Sequence, residues 1–398
     1  MAAPSIPSPL PCLGRHRAWQ LDPSWAFLNH GSFGARPLAV SRVQDSHRRA
    51  FERHPIRVLD DELMQPMMES TLEAVAGFLG VDPAGLVVVP NGTDAIAAGL
   101  GSMAFKRGDE ILSTTHAYGA VQRAMEATAK MRGAKAVFAS VPCPVQSMEE
   151  VEACVLDAVT PRTRLAIIDQ ITSPTALRFD VDRLTRLLKR RGVDVLVDGA
   201  HAAGMLHRPV TTSAHWWTSN LHKWGLSPVG CGVLYTHPSR RGITRPTAIS
   251  HMHFKGYQQA FGWQGTRDVT PWYTAPCAID WVKAREGWAA LRRYNTQLSR
   301  WTARTLCDAW GGSVAGPASM RKGVSMVTVE LPRAAARWRV PNRLRDALAD
   351  RFKVEVPIWN DGRRWWLRVS CQAYVRPKHV HRLVDAVDAL LLGVIPQR

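Results

Sequence analysis

Lys223 lies in the stretch Ser219-Asn220-Leu221-His222-Lys223-Trp224, with Gly225 next, and no other lysine, arginine or carboxylate shares that stretch. Lysine is ordinarily a solvated surface residue. Set between a histidine and a tryptophan it would lose hydration, which disfavours the ammonium form. A lysine that sheds its proton readily is a nucleophile toward aldehydes and a base at carbon. Upstream, the apolar run V-D-V-L-V-D ends in Asp198-Gly199-Ala200-His201. In open α/β sheets ligands collect beyond the carboxyl ends of the strands, so an aspartate there is placed for function. By itself such an acid is more often a helix cap or a turn former.

The two residues together narrow the chemistry. A lysine in front of an aldehyde and an acid behind an aromatic nitrogen are what pyridoxal phosphate requires. The amine forms a Schiff base, and the carboxylate keeps the pyridine nitrogen protonated so that the ring can accept electrons. A phosphate cradle is the third requirement. Val88-Val89-Pro90-Asn91-Gly92-Thr93 reads as a strand, a tight turn and a helix N-terminus, whose free N–H groups favour an anion.

The elements that must hold these groups follow from the pattern of apolar runs. Residues 86–90, 110–115, 134–140, 165–169, 193–198 and 231–236 are short and nearly continuous in apolar residues, as buried parallel strands are. Helix-sized segments such as 93–106, 118–132, 147–158 and 181–191 separate them, so the class is α/β. After about residue 270 a long helical pattern (273–296, continuing toward 310) precedes strand candidates at 325–331, 352–358 and 364–370 and helices at 342–351 and 377–392. That order predicts a small α+β domain. The expected division is a Pro-rich lead (1–20), a large domain (21–270) and a small C-terminal domain (271–398).

Composition limits the partners. The 398 residues carry a formal net charge of +18, but the basic residues are spread thinly and no long basic arm accompanies them. A solvated basic surface explains this charge better than a nucleic-acid site. Trp216, Trp217, Trp365 and Trp366 read as packing rather than as a stacking platform. Seven cysteines without a C-x-x-C pair suit a reducing cytoplasm rather than a disulfide framework or a metal site. The N-terminus is broken by prolines before an apolar signal region can form, and no apolar run is long enough to span a bilayer. A cytoplasmic protein without membrane or nucleic-acid partners is the expectation.

Five motifs in order, Asn91-Gly92-Thr93, Asp198-Gly199-Ala200-His201, Asn220-Leu221-His222-Lys223-Trp224, Gly265-Thr266-Arg267-Asp268 and Leu367-Arg368-Val369-Ser370, resemble those of class V aminotransferase-fold enzymes, the fold type I pyridoxal phosphate enzymes. The branch around isopenicillin N epimerase and the cysteine-conjugate carbon-sulfur lyases is the more similar one. Leu28-Asn29-His30-Gly31-Ser32-Phe33-Gly34, His116-Ala117-Tyr118 and Ser173-Pro174-Thr175 also match it. The resemblance implies a mainly parallel seven-stranded sheet flanked by helices. It implies that Lys223 holds the cofactor and serves as base and acid at the substrate α-carbon. Asp198 would pair with the ring nitrogen, with His201 close by. His116, or failing that Tyr118, would cover the ring face, and Ser173 would contact the ring oxygen. Gly92, Thr93, Asn220 and His222 would hold the phosphate, completed by Thr266 of the neighbouring subunit in a homodimer with shared sites. Arg368 would bind the substrate carboxylate with its planar fork, and Asn29 and His30 would look onto the substrate.

Relatives in that fold run several reactions, so the fold alone does not choose one. Desulfurases of the family carry a nucleophilic cysteine shortly before the carboxylate-binding arginine. Here none lies between Cys307 and Arg368, and Cys371 is past it. The leading expectation is β-elimination that cleaves a carbon-sulfur bond of a cysteine-derived conjugate, as in secondary metabolism. Epimerisation and decarboxylation coupled to oxidative deamination of an S-substituted cysteine are the alternatives; a basic, non-catalytic binding protein is the alternative of another class. The polar and aromatic segment 250–264, with His253, Lys255 and Tyr257, is expected to form an entrance for a large polar substrate.

Overall fold

The computed structural model describes residues 6–59, 61–391 and 393. The first five residues of the expected Pro-rich lead, residue 60 of the expected large domain, and residues 392 and 394–398 of the expected C-terminal domain lie outside the described residues. The first strand is a short one, β1 (Ala26–Phe27). A seven-stranded sheet then forms from β2 (Leu86–Val89), β3 (Glu110–Thr114), β4 (Lys135–Ala139), β5 (Thr163–Asp169), β6 (Asp194–Asp198), β7 (Trp216–Asn220) and β8 (Gly232–Thr236). The spatial order is β2-β8-β7-β6-β5-β3-β4, and every pair is parallel except those made by β8. The α/β class and the seven-stranded, mainly parallel sheet expected from the sequence are present, in the fold type I architecture.

Six of the seven strands coincide with apolar runs. The seventh, β7, reads W-W-T-S-N, with no aliphatic residue, yet all five positions are buried. Trp216 and Trp217 fill the two faces of the sheet, their indole N–H groups donating to Thr244 Oγ1 (2.8 Å) and Gln170 Oε1 (2.9 Å). Thr218 donates its hydroxyl to the Val233 carbonyl at 2.8 Å. Polar residues are tolerated here because each finds a partner. Register then places Asp169 of β5 against Asp198 of β6, and Asp198 against Thr218 of β7. The carboxyl ends of three neighbouring strands therefore stand side by side, and the chain leaving β7 runs directly into Lys223.

A second core forms around an antiparallel sheet of β9 (Met326–Glu330), β11 (Ile358–Asn360) and β12 (Trp365–Ser370), ordered β11-β12-β9. The predicted strand 352–358 is split: β10 (Val354–Glu355) pairs in parallel with β1, while β11 joins β12. Pro357, which has no N–H to give a ladder, lies between them. The long helical pattern is also divided, into Thr270–Tyr273, Ala275–Lys283 and Gly287–Trp310, and Gly287 takes the left-handed φ of +80° at the last break.

The Pro-rich lead departs from expectation in its second half. Leu13 and Trp19 are buried in this second core, where the Trp19 ring meets Tyr374 edge-on at 4.9 Å and Trp281 at 5.7 Å. Two large apolar side chains outweigh the ordering cost of a loop that proline has already stiffened. Residues 13–28 thus pack with the C-terminal part of the chain rather than leading loosely into the large sheet.

Candidate active site

One cavity opens over the carboxyl ends of β5, β6 and β7, lined among others by Gly92, Tyr118, Asp169, Ser173, Asp198, His201, Asn220 and Lys223. Thr93, at the first turn of the helix Gly92–Gly101, also lines it. Asn91 caps that helix by accepting from the Asp94 N–H at 2.9 Å. Asn220, the last residue of β7, accepts the Gly92 N–H on its Oδ1 at 2.8 Å. Its carbonyl oxygen being committed, the amide NH2 is left as a donor beside a helix N-terminus, an arrangement that suits an anion.

The lysine loop is held by close backbone packing. A Cβ on Gly34 would come within 2.8 Å of Lys223 Cα, so the L-N-H-G-S-F-G segment can press against the lysine backbone only as glycine. Gly204, at φ +89°, makes the same kind of approach to the Trp224 carbonyl. Lys223 itself lines the cavity and is ringed by protein. Burial pulls its ammonium down to about 8, helped by the charge of Arg368 and opposed by Asp198. Because the free amine is the reactive form, uptake of pyridoxal phosphate by the apoprotein is expected to quicken with pH, with a midpoint near 8. Stopped-flow absorbance across pH 6 to 11 would check this; a midpoint at an ordinary lysine value would show that the amine is not desolvated.

Asp198 is buried and accepts the Ala200 N–H on Oδ1 at 2.9 Å. The sequence reading missed its neighbour Asp169, also buried and lining the same cavity. Burial raises both carboxyls, and Asp169 more strongly because the Asp198 charge faces it as well. Asp169 is therefore the member of the pair that keeps its proton. The signal was available: the run L-A-I-I-D ends in an acid just as V-D-V-L-V-D does. Only the register β5–β6 shows that the two acids are neighbours.

The raised carboxyl of Asp169 has a definite sign in stability. Below the ordinary carboxylate range the folded and unfolded chains both carry the proton, and there is no penalty. As pH rises through that range the unfolded chain ionises first, and the fold loses about 1.4 kcal/mol per pH unit until the buried group also titrates. Asp169→Asn is neutral throughout, so its stability gain over the wild type should be larger at pH 8 than at pH 4. Denaturant melts at the two pH values measure this; equal differences would mean that Asp169 is ionised in the fold.

Arg368, from β12 of the second core, is not itself in the lining but bonds to Ser173, which is. Its Nη1 donates to the Ser173 carbonyl (2.6 Å) and hydroxyl (3.3 Å), and its Nη2 to Asn29 Oδ1 (3.3 Å) and Ser32 Oγ (3.0 Å). Its Nε is buried without a partner. Burial pulls the guanidinium down to about 10, so it stays charged at neutral pH. Asn29 thus orients the arginine.

Several expected placements change. His30 is fully buried, and its ring does not look onto the cavity. Its Nδ1 accepts the Ala35 N–H at 3.2 Å, which leaves Nε2–H to donate to the Lys223 carbonyl at 3.1 Å. Its role is to brace the lysine loop. His116 is also turned away: Nδ1 lies 2.8 Å from Thr175 Oγ1 and Nε2 3.1 Å from the Pro142 carbonyl, so both nitrogens are engaged. Tyr118, two residues on and 49% exposed, lines the cavity instead. His222 lies outside the lining, with a buried Nδ1 that has no partner. Thr266 is exposed and outside this chain's own cavity. The segment 250–264 does not line it either. Tyr257 is held by Thr236 Oγ1 (2.8 Å), and Met252, Gln258 and Gln259 face Met64 and Met68 in a separate apolar groove.

The residues present fit pyridoxal phosphate. An amine of lowered pKa, a buried carboxylate and a helix N-terminus with an amide beside it match the aldehyde, the ring nitrogen and the phosphate. His201 Nε2 and Arg368 Nε are buried polar atoms without protein partners. No cysteine lines the cavity. Cys371, next to the arginine strand, is fully buried and its thiol is pushed up to about 12. Among the described residues no helix is long and apolar enough to cross a membrane.

Residues 57–345 match the family described as aminotransferase class-V. A putative L-cysteine desulfhydrase 1 of Oryza sativa subsp. japonica is 32% identical over 92% of this chain and 83% of its own length. An isopenicillin N epimerase of Amycolatopsis lactamdurans is 30% identical over 93% of this chain and 96% of its own. In structure, the cystine C-S lyase C-DES in complex with its product cysteine persulfide superposes with a TM-score of 0.78, at 18% identity, over 94% of this chain and 98% of that one.

Proposed function

We infer the function from the premise that this chain belongs to the aminotransferase class-V family and is a pyridoxal-phosphate-dependent enzyme: it cleaves the carbon-sulfur bond of a cysteine-derived amino acid by β-elimination. The observation that carries this reading is a cavity with one amine base, Lys223, and no thiol. Without a nearby thiolate the sulfur is not passed to the protein as a persulfide, so it departs with the leaving group.

Bound pyridoxal phosphate supplies an electron sink for the pair left at the substrate α-carbon. Arg368 binds the substrate carboxylate and Ser173 and Asn29 keep its fork in plane. Asp198 holds the positive charge of the ring nitrogen, while Asp169 stays neutral beside it. Asn220 and the first turn of Gly92–Gly101 hold the phosphate. Tyr118 covers the cavity. Lys223 accepts the α-proton; the electron pair becomes the Cα–Cβ double bond as the Cβ–S bond breaks, and sulfur leaves with its pair and takes a proton. The released enamine hydrolyses to a 2-oxo acid and ammonia. Thr266, exposed and outside the lining of its own cavity, is assigned to the partner's site in a homodimer.

The test is product analysis of the holoenzyme on cysteine and a series of S-substituted cysteines. Pyruvate, ammonia and a free thiol in equal amounts are expected. Recovered amino acid of inverted configuration carrying solvent deuterium at the α-carbon would replace elimination by epimerisation, the activity named for the Amycolatopsis relative. Carbon dioxide release with oxygen uptake would replace it by oxidative decarboxylation. The dimer is tested by light scattering and by mixing Thr266→Ala with Lys223→Ala subunits: activity regained on mixing means shared sites.

A further inference from the structure

We propose that Trp224 is a positioning residue that fixes the tautomer of His201, so that the histidine presents an N–H to the cofactor. Trp224 is 1% exposed, and its indole Nε1 lies 3.3 Å from His201 Nδ1. An indole nitrogen can only donate. His201 Nδ1 must therefore accept, and the proton of the neutral ring sits on Nε2. That atom is buried and has no hydrogen-bond partner in the protein, while the residue lines the cavity beside Asp198 and Lys223.

The histidine stays neutral for reasons that act together. Burial lowers it well below its ordinary range, and the charges of Lys223 and Arg368 lower it further. Neutral imidazole has two tautomers, and without Trp224 the Nδ1–H form would present a lone pair to the cavity instead of a donor. Trp224 is itself fixed: its ring packs at 4.9 Å on His30, which braces the Lys223 carbonyl. A buried N–H without a partner is unfavourable unless a ligand supplies an acceptor. Of the acceptors on pyridoxal phosphate, the ring nitrogen falls to Asp198 and the phosphate to the helix N-terminus and Asn220. The ring oxygen beside the aldehyde, which the family resemblance gave to Ser173, is left for His201, because the Ser173 carbonyl and hydroxyl are engaged by Arg368 Nη1.

This inference rests on the cofactor reading of the site and not on which bond is cleaved, so its readouts are the tautomer and cofactor affinity rather than turnover. In the wild-type protein labelled with 15N-histidine, the His201 signals, assigned by their loss in His201→Gln, should show Nδ1 unprotonated and Nε2 protonated. The opposite pattern overturns the proposal, even if no Trp224 variant folds. Trp224→Phe keeps an aromatic ring but removes the donor, and it should weaken the Kd for pyridoxal phosphate about 5- to 30-fold. In a His201→Gln background, where the amide brings its own N–H, the same substitution should cost less than about 2-fold. An equal loss in both backgrounds would mean that Trp224 acts through packing alone.

Discussion

Lys223→Ala is expected to lower kcat by at least about 10³-fold, because it removes the general acid and base at the α-carbon together with the covalent tether. The protein should still fold. The deleted group is an amine that is desolvated and pushed to about 8, so its loss removes a burial penalty rather than a stabilising contact. The loop is held independently by Gly34, by the His30 bond to the Lys223 carbonyl and by the buried Trp224. Borohydride reduction of the wild-type holoenzyme should fix the cofactor on the peptide containing Lys223, and the variant should trap none. Trapping at another lysine, or a variant with a tenth of wild-type turnover, would move the chemistry elsewhere.

Arg368→Lys should reduce kcat/KM by about 10²- to 10³-fold, mainly through KM. The charge is retained but the planar fork is not, and losing one partner of a desolvated, hydrogen-bonded charge pair costs about 2–5 kcal/mol, with 1.4 kcal/mol to each factor of ten. The geometry sharpens the expectation. Arg368 donates to Ser173, Asn29 and Ser32 through two nitrogens while its Nε lacks a partner, so the guanidinium is already aligned before substrate arrives. A lysine ammonium cannot reproduce that set of donors. A substrate whose carboxylate is esterified should be turned over about equally by both proteins. If KM for the free amino acid were unchanged in the variant, Arg368 would be a structural tie between the two cores and nothing more.

Much of this site was legible along the chain. The strand ending in Asp198, the N-G-T turn and the lysine stretch are local features, each written in a few consecutive residues. The same holds for the apolar runs of β2, β3, β4, β5, β6 and β8. Where the local signal was weak the reading faltered. The strand β7 carries two tryptophans and three polar residues, and it is a strand because neighbours on both sides satisfy it. Pro357 divided a predicted strand between two sheets. The lead appeared loose from its prolines, whereas Leu13 and Trp19 found a core built from residues some three hundred positions later.

By itself, then, the sequence determined the class of fold, because composition and short-range spacing are enough to mark strand ends and helix starts, and its ordered motifs, through their family resemblance, pointed to the cofactor and proposed Lys223, Asp198 and Arg368 to serve it. Only the tertiary structure decided which of the adjoining polar groups face the cavity. Register between β5 and β6 made Asp169 a neighbour of Asp198. Thr175 and the Pro142 carbonyl turned His116 away and left Tyr118 at the opening. Backbone contacts gave His30 to the lysine loop, and a single indole N–H settled the tautomer of His201. These outcomes depend on partners far apart in the chain, and a buried polar group takes whichever partner the packing brings within hydrogen-bond reach.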